Sequence, residues 1–118
     1  MNQASDGITD LWFRTELELV EIARLLDLYV LERDAENEWE WLLGRLDSTE
    51  LDLTRRYDPP PVESVTRLFR VDNGEFEAEL RARLAERLVR AGIRPVTMGR
   101  WEYLEVDDFR LVEVWRVD

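Results

Sequence analysis

Apolar and polar positions alternate by turns with period two and with helical period along this chain, and the switches between them mark out its elements. Ile8 to Arg14 is rich in β-branched and aromatic residues and predicts a first strand. Thr15 with Glu18 has the Thr-x-x-Glu spacing of a capping box, which places the start of a helix there. Leu19, Ile22, Ala23 and Leu26 then recur at i, i+3, i+4 and i+7, giving that helix one apolar face. Tyr29 to Glu32 predicts a short strand. Leu51 to Tyr57 and Val65 to Val71 predict two more, separated by Pro59, Pro60 and Pro61, which cannot donate to a ladder. Asp72-Asn73-Gly74 is a turn signal, and Phe76 to Ala91 carries the clearest helical stripe, Phe76, Leu80, Leu84 and Leu88, with Gly92 placed to end it. Pro95 to Leu104 and Phe109 to Val117 predict a hairpin with Gly99 as a bulge.

One stretch fits two periods. In residues 32–47, ERDAENEWEWLLGRLD, alternation would set Glu36, Glu38 and Glu40 on one strand face and Trp39 and Trp41 on the other. Trp39, Leu42, Leu43 and Leu46 instead follow helical spacing, and that register runs further, with Asp34 as a cap. The helix is the favoured reading. The order of elements predicts a single α+β domain over 1–118, frayed at 1–7. Its sheet is expected to be mixed or mostly antiparallel, packed against two to three helices, with a C-terminal β-hairpin.

Composition changes this picture in two respects. The 118 residues are 45% hydrophobic, enough for one folded core, and they include no histidine and no cysteine. Imidazole acid–base catalysis, thiolate chemistry, disulfides and Cys/His zinc sites are thereby excluded, so no catalytic residue, metal or cofactor is expected. Asp34-x-Glu36-x-Glu38 lacks the glycine and the distal glutamate of a calcium loop, since Trp39 and Arg45 stand at those positions. No run reaches the roughly 18 apolar residues of a membrane span, and no secretory leader is evident, so a cytoplasmic protein is expected.

Charge is the second respect. The net charge is −11, and it is uneven: residues 1–53 hold 14 acids against 4 arginines, residues 54–118 hold 13 against 12. In the predicted helix 76–91 the acids have bases one turn on, Glu77 with Arg81, Glu79 with Arg83 and Glu86 with Arg90, each pair worth about 0.2–0.5 kcal/mol. The stretch 32–47 has no such matching. Such an acidic chain repels phosphate backbones and anionic membranes, so the expected partner is a basic protein. The expected contacts are Asp34, Glu36, Glu38 and Glu40, with Trp41 as an anchor and Asp107 with Asp108 as a secondary patch. Trp12, Trp101 and Trp115 are expected in the core or half-buried, and Trp39 in the core.

Asp34-Ala35-Glu36-Asn37 leading to Trp39-Glu40-Trp41, then Asp52-Leu53-Thr54-Arg55, Thr66-Arg67-Leu68-Phe69, Gly99-Arg100-Trp101-Glu102-Tyr103 and Asp107-Asp108-Phe109 carry a resemblance in texture and order. Over roughly Ile8 to Val114 the chain resembles the small cytoplasmic immunity proteins of bacterial contact-dependent growth inhibition systems. The resemblance implies a non-enzymatic inhibitor that binds the toxin domain of a cognate effector, with a basic nuclease as the expected toxin. The alternative is a non-catalytic structural or regulatory subunit of an intracellular complex.

Overall fold

The computed structural model describes residues 7–36, 39–56, 67–73, 77–105 and 108–118; residues 36, 39, 56, 67–70, 72, 101, 103–105 and 108–111 are described only as strand positions. Strands β1 (Asp10–Thr15), β2 (Tyr29–Glu36), β3 (Trp39–Leu46), β4 (Thr49–Arg56), β5 (Arg67–Asp72), β6 (Val96–Glu105) and β7 (Asp108–Val117) form one sheet. Helices α1 (Leu19–Leu25) and α2 (Ala78–Arg90) complete the α+β fold. The strand order is β2-β3-β4-β5-β1-β6-β7, and every neighbouring pair is antiparallel.

Both helices cover the same face. Directly opposed positions in adjacent strands share a face, and Leu42, Leu53, Val71, Leu11 and Met98 stand opposite one another in one row across β3, β4, β5, β1 and β6. All five are buried, in one cluster with Leu19, Ile22, Ala23 and Leu26 around α1 and Leu80, Leu84, Ala85 and Leu88 of α2. The helix stripes read from the sequence are the ones the core uses, apart from Phe76, which lies outside the described residues.

Local chemistry sets the ends of α1 differently from the sequence expectation. Thr15 does not cap the helix. It closes β1 opposite Arg67, and its Oγ1 accepts the Leu17 N–H at 3.3 Å. Glu18 takes the N-cap position, and its N–H donates to Oε1 of Glu21 at 3.3 Å. A β-branched residue in register with a neighbouring strand gains more from continuing the ladder than from leaving it. At the other end of the chain's second helix, Gly92 (φ +88°) follows the C-cap, and the N–H groups of Gly92 and Ile93 bond to the carbonyls of Val89 and Leu88 at 3.0 Å each. This is the glycine stop predicted there, and Ile93 and Leu88 are both buried in the core.

The stretch 32–47 is not a helix but the paired strands β2 and β3. The helical spacing of Trp39, Leu42, Leu43 and Leu46 loses for three reasons. Gly44 in a helix interior would cost about 1 kcal/mol relative to alanine. In β3 it serves close packing instead, since a Cβ there would lie 3.0 Å from that of Leu28. Tryptophan fits a pleated surface, and the two-residue turn Asp47-Ser48, with Asp47 at φ 56°, fixes Leu46 opposite Thr49. Within β3 the period-two reading holds, with positions 39 and 41 on one face and Glu40 on the other, but Glu36 stands opposite Trp39 and so takes the face of positions 39 and 41, not that of Glu40, and Glu38 lies outside the described residues.

Two further expectations change. Arg81 is buried, not on a solvated face, and its Nη1 donates to the Ile8 carbonyl at 3.2 Å. Arg83 reaches Asp47 at 3.9 Å across elements, while Glu86 and Arg90 do pair at 2.6 Å. Trp115 is not in the core: it is 61% exposed on the edge strand β7. Trp12 is half-buried as expected, and the side chains of Trp39 and Trp101 lie outside the described ones. No helix among the described residues is long and apolar enough to cross a membrane.

Candidate protein-binding face

Among the described residues, no element covers the face of the sheet away from the helices over β2, β3 and β4. Register places three rows of side chains there. Tyr29 stands opposite Arg45, and Arg45 opposite Glu50; Glu32 opposite Leu43, and Leu43 opposite Asp52; Asp34 opposite Trp41, and Trp41 opposite Thr54. The centre of this patch is therefore Leu43 and Trp41, two residues apart on β3 and both half-buried. Tyr29 adds an aromatic ring that is 70% exposed.

Around that apolar centre the acids are unmatched. Arg45 is taken by Glu50 at 3.6 Å, whereas Glu32, Asp34 and Asp52 are exposed and form no ion pair among the described residues. Among the described residues, Asp34 accepts only the N–H of its neighbour Ala35, at 2.8 Å. Beyond Asp52 the same row continues through Asp72 on β5 to Asp10 on β1, a fully buried aspartate whose Oδ2 accepts the Thr9 hydroxyl at 2.5 Å. Glu32, Asp34 and Asp52 have no counter-ion among the described residues, so their field extends into solvent. Apolar contact area inside a rim of unpaired carboxylates can bind a cationic protein surface.

Glu40 belongs to another structure. Its neighbour across β4 is Arg55, on the helix-covered face, and Arg55 is 1% exposed, the largest fully buried side chain described. Its Nη2 lies 2.6 Å from Oε2 of Glu40, and its Nη1 donates to Oε2 of Glu18 at 2.8 Å. One guanidinium thus ties the start of α1 to β3 and β4. A cleft of about 490 Å³ opens beside it, lined by Glu18, Leu19, Val20, Arg33, Asp34, Ala35 and Glu40. Two of its three carboxylates are committed to Arg55, so the cleft reads as the rim of an internal ion-pair network.

Of the contacts predicted from sequence, then, Asp34 and Trp41 come together as cross-strand neighbours, and Glu40 turns away to neutralise an arginine. Glu36 is described only as a strand position opposite Trp39, and Glu38 lies outside the described residues. Asp107 also lies outside them. Asp108 begins β7, five strands from β3 in sheet order, or about 24 Å at the usual strand spacing. It does not join the patch. Sequence reasoning missed Tyr29, Glu32, Leu43 and Asp52. The signal for Glu32, Leu43 and Asp52 was present in the period-two reading of 29–54 once β2, β3 and β4 are taken as a meander, whereas Tyr29 joins their face only through the bulge between Val30 and Glu32. Comparison with family models, curated proteins and solved structures finds no match to this chain.

Proposed function

We propose that this protein is an immunity-type inhibitor, which captures a basic toxin domain on the outer face of β2–β4 and blocks it by occlusion. The observation that carries the reading is the Trp41–Leu43 strip bordered by the carboxylates of Glu32, Asp34 and Asp52, which form no ion pair among the described residues. The resemblance of the sequence to immunity proteins of contact-dependent growth inhibition systems points the same way. A nuclease holds arginines and lysines where phosphates must sit. Carboxylates presented at strand spacing can take those places, with charge-assisted and bidentate hydrogen bonds to arginine. Complementary charge also raises encounter rates from about 10⁵–10⁶ to as much as about 10⁸–10⁹ M⁻¹s⁻¹ at low salt.

The division of labour within the patch follows from solvation. Rim carboxylates stay partly hydrated and contribute mainly to association and to choice of partner, whereas a tryptophan that becomes fully covered contributes to residence time. Trp41→Ala is therefore expected to weaken capture by about 2 kcal/mol or more, roughly thirtyfold in Kd. The test starts from the neighbouring genes: a toxin domain encoded there is co-expressed with this chain, and the wild-type chain is expected to restore growth and Trp41→Ala to protect poorly, with Kd from calorimetry to match. A folded Trp41→Ala chain with unchanged affinity removes this face from the interface, and a wild-type chain that neither binds nor protects removes the function.

A further inference from the structure

Trp41 is set among acids more closely than an apolar anchor requires. Asp34 stands directly opposite it on β2, while Glu32 and Asp52, both opposite Leu43, are its diagonal neighbours on the two flanking strands. Directly opposed side chains have Cβ atoms about 4.5–5.5 Å apart, and diagonal ones stay within reach of an aromatic ring or a long side chain. A cation paired with Asp34 can therefore also lie within the roughly 6 Å at which the negative face of an indole attracts it. The Trp41 ring is half-buried, which leaves part of its surface to a partner.

The neighbouring row has the same ingredients in a completed form. Tyr29, Arg45 and Glu50 stand opposite one another on β2, β3 and β4, an aromatic residue, a guanidinium and a carboxylate in line, with the guanidinium 3.6 Å from the carboxylate. The Trp41 row has its aromatic residue and its carboxylate in direct opposition, and Thr54 in the third place. Of the arginines on these strands whose side chains are described, Arg45 is taken by Glu50, and Arg33 and Arg55 fall on the helix-covered face opposite Leu42 and Glu40.

We propose that the partner supplies the missing guanidinium, so that this face selects an arginine of a basic protein over a lysine, with the guanidinium plane on Trp41 and its N–H edge on Asp34. This rests on the capture of a basic protein proposed above and names the residue type it reads. A guanidinium is planar, weakly hydrated and forked, so it can stack on an indole and still donate two parallel hydrogen bonds to a carboxylate. A lysine ammonium is a compact, strongly hydrated charge and has no plane to stack. The Asp34 carboxylate is steadied by the Ala35 N–H on Oδ1 at 2.8 Å, and both of its oxygens keep lone pairs for a fork. Glu32 and Asp52 add attraction that arginine and lysine feel alike.

Tetra-arginine amide and tetra-lysine amide, each titrated into the full ¹⁵N-labelled chain at low ionic strength, test this without a toxin. The readout is the indole N–H resonance of Trp41, assigned by its loss in Trp41→Leu. At that signal tetra-arginine is expected to bind about three- to tenfold more tightly than tetra-lysine. Asp34→Asn, at an exposed position, keeps the readout and should bring the two affinities within about twofold of each other. Equal affinities in the wild-type chain overturn the arginine assignment and leave capture of a basic partner by charge in place. A Trp41 signal that neither peptide moves overturns it as well. So does one that tetra-arginine moves only in Arg56→Gln, because the chain's own Arg56, diagonal to Trp41 in register, would then already fill the place. A chain that prefers tetra-arginine at Trp41 yet protects against no toxin keeps this selectivity and loses the inhibitor function.

Discussion

Replacing Arg55 with leucine is expected to lower the unfolding free energy by about 3 kcal/mol, at the lower end of what removing one partner of a buried ion pair costs. The guanidinium is 1% exposed and contacts two carboxylates from different elements, at 2.6 and 2.8 Å. Without it, Glu40 keeps its charge on the helix-covered face with its side chain only 23% exposed, while Glu18, at 59%, can turn to solvent. The penalty therefore comes chiefly from Glu40. The pair Glu40→Leu and Arg55→Leu should recover most of the loss, because two apolar side chains replace an ion pair at little net cost. Urea denaturation of the two single variants and the double variant measures this directly. A single variant within about 1 kcal/mol of wild type would mean the network contributes little beyond an ordinary mutation.

Gly99→Ala should be comparably damaging. A Cβ at this position would lie 1.8 Å from the carbonyl oxygen of Val112 and 2.7 Å from Cη2 of Trp12. Trp12 could shift, but the Val112 oxygen is backbone of the neighbouring strand and can move only if the β6–β7 register moves with it. The register already breaks between Met98 and Gly99, so the bulge depends on the missing side chain. A loss of about 3 kcal/mol or more is expected, at or above the upper range for overpacking. Gly44→Ala serves as the comparison, since the nearest atoms a Cβ there would meet are side-chain atoms of Leu28 and Leu42 at 3.0–3.3 Å, which need give by only a few tenths of an ångström, a far smaller clash than at Gly99. Thermal melts in which the two glycine variants behave alike would contradict the account of Gly99.

These two positions show how unevenly the fold was written into the sequence. Both helix stripes as far as they are described, the strands at 10–15, 51–56 and 67–72 and the glycine stop at Gly92 follow from periodicity and from what glycine permits, and each is in the structure, while the bulge expected at Gly99 has its extra residue, Val114, on the facing strand β7. The strands β2 and β3 were harder because a tryptophan-leucine run satisfies both periods, and only Gly44 and the Asp47-Ser48 turn argue for the strand. That error carried into the site. A helical register puts Glu40 one turn from Glu36 as a free carboxylate, whereas the strand register turns it inward.

No local pattern could have revealed its partner. Arg55 follows fifteen residues later on another strand, and a buried arginine looks in the sequence like any surface one. The position of Trp115 was illegible for a related reason, since alternation tells which face a residue takes but not whether its strand lies at the centre of the sheet or at its edge. Asp34 and Trp41 were found because the feature that identified them, acids beside apolar residues without bases, does not depend on whether the backbone is helical or extended.

The central claim is that the local arrangement of charge around Trp41 and Leu43, and not the total charge of the protein, recruits a basic partner. Stopped-flow association with the toxin domain across a salt series tests it most directly, comparing two variants with the same net charge. One carries Glu32→Gln, Asp34→Asn and Asp52→Asn; the other carries Glu16→Gln, Glu79→Gln and Glu86→Gln, all exposed on or beside the helices. The account predicts that the first loses about tenfold or more in association rate at low salt and much of its salt dependence, while the second stays close to wild type. Equal losses in the two variants, or none in either, would contradict it.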